Sequence, residues 1–96
     1  MEQNDFDSWP LHDAILNKIS IDWIQGTCTL DLTLNHPTKT TPIVFKNITG
    51  VTIPHKAPWG NSNYINEQYS SKNEFVIEMQ SGDKIVIMAG EVVLQK

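Results

Sequence analysis

Arginine is absent from this 96-residue chain, and its seven lysines are scattered against eleven acidic residues, giving a net charge of −4. Nucleic-acid binders need a basic face to neutralise phosphates, and arginine is the usual base-reading and bidentate phosphate group. Nucleic acid and anionic membrane surfaces are therefore not expected partners. Cysteine is nearly absent too: Cys28 stands alone and has no internal disulfide partner. The opening Met1-Glu2-Gln3-Asn4-Asp5 is acidic and polar, unlike the basic-then-apolar start of a secretory leader. Both features point to a cytoplasmic location. No apolar run approaches the roughly 18 residues that a membrane span needs. There is no glycine-rich phosphate loop and no Gly-x-Ser-x-Gly elbow. Alanine, the best helix former, occurs only three times.

What is abundant is branching at Cβ. Eleven Ile, six Val and eight Thr favour pleated strands, where a stiff χ1 is no handicap. Ile19, Ile21 and Trp23 alternate with Ser20 and Asp22. Across a turn at Ile24-Gln25-Gly26-Thr27, Cys28, Leu30, Leu32 and Leu34 alternate with Thr29, Asp31 and Thr33. Two such period-2 runs predict a β-hairpin over residues 17–35 with one face buried, including Ile21. Ile43 and Phe45 mark a strand near 41–47, and Val51 with Ile53 a short one ending at Pro54. Residues 55–71 are rich in Asn, Ser and Pro and read as loop, with a short strand at Tyr64-Ile65. A second hairpin is predicted from 74–79 and 84–88 around Ser81-Gly82-Asp83, then a last strand at 92–94. Val86 and Val93 face opposite to Ile85, Ile87, Val92 and Leu94. The C-terminal strands are thus expected to be covered on both faces, as central strands or at a homo-oligomer contact. Residues 1–10 read as a flexible lead-in, and 11–17 as one short helix or the start of the first strand. The expectation is a single domain over residues 1–96, mainly β: a small antiparallel sandwich or partly open barrel of six to eight short strands.

Chemistry-bearing residues are few. His12-Asp13 could supply a general base or a metal ligand, but neighbours on an extended chain face opposite ways. Asp13 reads more simply as a cap for the segment that follows. His36 and His55 have no ligand spacing to His12, so no metal or other cofactor is expected. Cys28 reads as a small core hydrophobe. The loop around Trp59 holds Asn61, Ser62, Asn63 and Tyr64, aromatic and amide groups typical of recognition surfaces. Trp59 has two readings here, a plug for one end of the fold or a binding anchor.

His12-Asp13-Ala14 with Ile19-x-Ile21-Asp22-Trp23, together with Pro58-Trp59-Gly60-Asn61-Ser62, resembles a group of small, largely uncharacterised bacterial β-rich domains. The same pairing resembles the small immunity proteins that neutralise a toxin. The resemblance runs over roughly residues 9–66 and implies a non-enzymatic binder whose contacts are surface loops and exposed strand edges. The moderate acidity departs from an immunity protein that captures a basic toxin electrostatically. The expected function is a non-enzymatic protein-binding module, an immunity-type inhibitor or a subunit of a small bacterial assembly, acting by occlusion through Trp59, Asn61, Ser62, Asn63 and Tyr64. The alternative is a small-molecule-binding or enzymatic β domain using His12 and Asp13 near the Trp59 loop.

Overall fold

The computed structural model describes residues 3–35, 38–58 and 62–94. After a 3₁₀-helix at Gln3–Ser8 come β1 (Ile15–Asp22), β2 (Thr27–Asn35), β3 (Thr38–Lys46), β4 (Gly50–Thr52), β5 (Ile65–Ser71), β6 (Glu74–Met79), β7 (Lys84–Met88) and β8 (Glu91–Leu94). They form two four-stranded antiparallel sheets in the orders β1-β2-β3-β8 and β4-β7-β6-β5. The mainly β expectation holds. One isolated bridge, Ile15 to Tyr64, brings β1 toward β5 without closing a barrel. Among the described residues no helix is long and apolar enough to cross a membrane.

Strand pairing sets the core because residues directly opposite each other share a face. Cys28, Phe45 and Val92 form one inward row across three strands, and Leu30, Ile43 and Leu94 another. Val51, Ile87 and Phe75 form the matching row of the second sheet. The sheets are joined where two strand connections cross side by side. β3 bends into β4 at Asn47–Thr49 and β7 into β8 at Ala89–Gly90, with Gly90 N–H donating to the Lys46 and Asn47 carbonyls at 2.9 and 3.2 Å. A Cβ on Gly90 would sit 3.1 Å from that of Asn47, so glycine permits the close approach.

Three expectations change, and one open choice is decided. Residues 3–9 are no loose lead-in: Phe6 and Trp9 are buried in the core. Of the two readings for 11–17, the start of the first strand is the one found: the chain turns at 12–13 and enters β1. Ile21 lies opposite Cys28 and hence on the inner face, yet it is 46% exposed. The sandwich is open at that end, and Trp23 falls in the turn beyond the strand rather than on its face. Finally, 65–71 is a full strand, not loop. Its inward positions are Ile65, opposite Met79, and, past a register shift, Gln68 and Ser70, opposite Ile77 and Phe75. Gln68 Nε2 donates to the carbonyls of Phe6 and Trp9 at 3.1 and 2.7 Å, and Ser70 Oγ to Asp7 Oδ1 at 2.8 Å. Polar side chains face inward there because the 3₁₀-helix needs donors. β6 and β7 are central strands whereas β8 is an edge, and Val86 and Val93 are half-buried.

Phe6 packs edge-on against Trp9, Phe45 and Phe75 at centroid distances of 5.2, 6.3 and 5.1 Å. Phe6→Ala is expected to cost about 3–5 kcal/mol in chemical denaturation, as for a buried aromatic. A flexible lead-in would show almost no change. Thr41 shares the inner face of β3, buried opposite Leu32, and its hydroxyl has no hydrogen-bond partner among the described residues. Desolvating an unpaired hydroxyl costs about 1–3 kcal/mol. Thr41→Val should therefore raise the denaturation midpoint, corresponding to about 1 kcal/mol.

Candidate binding surface

Trp59 and Asn61, and with them Gly60, lie outside the described residues; the segments on either side of them are firmly tied. On the leading side, Asp83 is 7% exposed and its carboxylate accepts from the backbone N–H groups of Lys56 (3.1 Å) and Ala57 (2.7 Å) and from Ser81 Oγ (2.9 Å). Ala57 has φ of 46°, a left-handed conformation that costs a residue bearing a Cβ about 1 kcal/mol or more. Two carboxylate bonds at residues 56–57 hold it there. Burial alone pushes the Asp83 carboxyl upward. The Ala57, Lys56 and Ser81 bonds and the attraction of His55 outweigh it, so the group lies below the ordinary aspartate value of 3.8.

On the trailing side, Ser62 and Tyr64 are half-buried and Asn63 is exposed. The Asn63 carbonyl accepts from Leu16 N–H at 2.7 Å and the Tyr64 carbonyl from Gln80 N–H at 2.8 Å. Gln80, Ser81 and Asp83 all belong to the β6–β7 turn, which therefore secures both ends of the loop.

His12 and Asp13 do meet. Asp13 has φ of 66°, which breaks the extended geometry and brings His12 Nε2 to 3.6 Å from Asp13 Oδ2. Each is engaged elsewhere: His12 Nδ1 donates to the Asn66 carbonyl (2.6 Å), and Asp13 Oδ1 accepts from Gln80 Nε2 (2.6 Å). Asp13 thus pins β1 to the β6–β7 turn instead of capping the segment after it. Asn66 Nδ2 in turn donates to Glu78 Oε1 at 3.0 Å. His55 is exposed, while His36 lies outside the described residues. Among the described residues no three His, Cys, Asp or Glu side chains gather as metal ligands. Cys28 is fully buried, and desolvation pushes its thiol upward, opposite to the activation a nucleophile needs.

Trp23 and Ile24, by contrast, are 89% and 92% exposed at the tip of the first hairpin. The turn is specified locally: Asp22 Oδ1 accepts from Gln25 N–H at 3.0 Å, and Gly26 N–H donates to the Asp22 carbonyl at 3.0 Å. Gly26 adopts φ of 68°, suited to a residue without Cβ. Asp22 and Gly26 thereby bracket two large apolar residues in the turn. This bracket, a turn former on each side of Trp-Ile, was the signal in the sequence, and strand alternation masked it. Beside the tip runs a groove of about 390 Å³ lined by Ile21, Trp23, Gly26, Ile48, Gly50 and Val51. Comparison of the chain with protein families, curated proteins and solved structures finds no match.

The Asp83 clamp has a definite pH signature. Because the folded-state value is lowered, its contribution is present above the unfolded value and is lost as pH falls through the folded one. Asp83→Asn should lower stability at neutral pH and flatten the acid side of the stability–pH curve, read by urea midpoints below about pH 5. Parallel curves for the two proteins would remove Asp83 from that role.

Proposed function

We propose that this chain is a non-enzymatic protein-binding module anchored at the Trp23–Ile24 tip and acting by occlusion. The observation that carries this reading is a tryptophan and an isoleucine, both about nine-tenths exposed, beside an apolar groove. Burying an indole removes about 150–250 Å² from water at small entropic cost, and tryptophan leads the residues that dominate binding energy. The supporting scaffold is stiff: the turn is held by Asp22 and Gly26, and Ile48 N–H donates to the Gly26 carbonyl at 3.1 Å. Asn63 offers an exposed amide at the trailing end of the long loop, a second point at which a partner would be met. The structural bonds of His12 and Asp13 favour this reading over a catalytic one. An immunity-type inhibitor is its specific form, in which the tip covers the working surface of a partner.

A photo-crosslinking residue in place of Ile24 is expected to capture the partner, whose affinity is then measured by calorimetry. Trp23→Ala should leave the thermal midpoint almost unchanged and weaken binding by about 2 kcal/mol or more. Undiminished affinity in that variant, with loss in Asn63→Ala or Trp59→Ala, would move the anchor to the long loop.

A further inference from the structure

We propose that β1 pairs antiparallel with β1 of a second copy of this chain, about a two-fold axis through Ser20. The inference goes beyond the binding tip and rests on the strand edge beside it. β1 is an edge strand of its sheet. Its first residues are covered: Leu16 N–H donates to the Asn63 carbonyl, and Ile15 bridges to Tyr64. The register shift between Leu16 and Lys18 ends that cover. From Lys18 to Asp22 no further backbone group meets the outward side among the described residues. An edge strand turns every second N–H and C=O outward, so this stretch is a free template.

The side chains select one mate and one register. With the axis at Ser20, Lys18 lies opposite Asp22 of the second copy, twice, and Ile19 lies opposite Ile21, twice. Opposite residues in an antiparallel pair share a face. This register therefore keeps the inner-face Ile19 and Ile21 together and leaves Lys18, Ser20 and Asp22 together on the outer face. Lys18 and Asp22 are exposed, and neither forms an ion pair among the described residues. Ile21, half-exposed at the open end, gains an apolar neighbour. Moving the axis to residue 18 or 22 sets like charges against each other, and moving it to 19 or 21 leaves Lys18 without its carboxylate. An edge lysine ordinarily discourages strand addition. Here the same lysine discriminates against other strands and accepts its own copy, joining the two first sheets into one.

Two measurements test this. Sedimentation over about 1–200 µM should show a reversible dimer. Lys18→Glu places like charges opposite each other twice and should weaken it about tenfold or more. The double variant Lys18→Glu/Asp22→Lys should recover most of that loss, with circular dichroism confirming that each variant is folded. The second measurement is cross-linking. Cα atoms paired across an antiparallel ladder are about 4.5–5.5 Å apart, within disulfide reach. Under mild oxidation Ser20→Cys should therefore cross-link rapidly on the axis and Lys18→Cys slowly. Cys28 does not compete because it is buried. A monomer throughout the range, or a dimer indifferent to charge reversal with no preference for position 20, overturns the proposal. Neither outcome touches the Trp23 reading, which is measured by partner affinity alone.

Discussion

Phe6 is the contact on which the two sheets depend. Phe45 comes from the first sheet and Phe75 from the second, and their rings lie 5.5 Å apart. Phe6 touches both and carries Trp9 with it, so one 3₁₀ segment supplies the wedge that neither sheet has of its own. Its cost is polar, because the short helix brings backbone carbonyls to a place where strands cannot satisfy them. Gln68 meets that need from the inner face of β5, which explains why an edge strand carries an amide where its neighbours carry Ile and Phe.

The same division recurs at the β6–β7 turn. Apolar burial fixes the strands on either side, while Gln80, Ser81 and Asp83 fasten pieces of chain that have no strand partner. One carboxylate holds Lys56 and Ala57, and one amide holds Asp13. The turn therefore ties β1 and the base of the long loop to the second sheet without adding another hydrophobic layer. In a domain this small that matters, because surface remains high relative to core.

Most of the fold was legible in the sequence. Period-2 alternation located both hairpins, and Leu30, Leu32, Ile43 and Phe45 are all fully buried. Three regions were not legible, each for a physical reason. Gln3–Ser8 has no repeating apolar pattern, since a single phenylalanine does its packing. β5 reads as loop because, beyond Ile65, its inward positions Gln68 and Ser70 are polar by necessity. Trp23 continues the alternation of Ile19 and Ile21, but pattern does not reveal that the strand stops at Asp22, where a carboxylate and Gly26 fold the chain back. Of the candidate site residues, Ser62, Asn63 and Tyr64 are placed, and the fastening of Asn63 to β1 and of Tyr64 to Gln80 depends on backbone bonds that no side-chain type announces.

The 3₁₀ segment packs against β5 and β8, which joins the earliest described residues to the latest. During synthesis Phe6 leaves the ribosome long before Phe75 and β8 exist to pack against its segment. Native closure therefore awaits β6 and β8, and until then an aromatic side chain and the inner face of the first hairpin stay uncovered. At that stage the uncovered apolar surface of the domain is where holding by a chaperone would have its greatest effect.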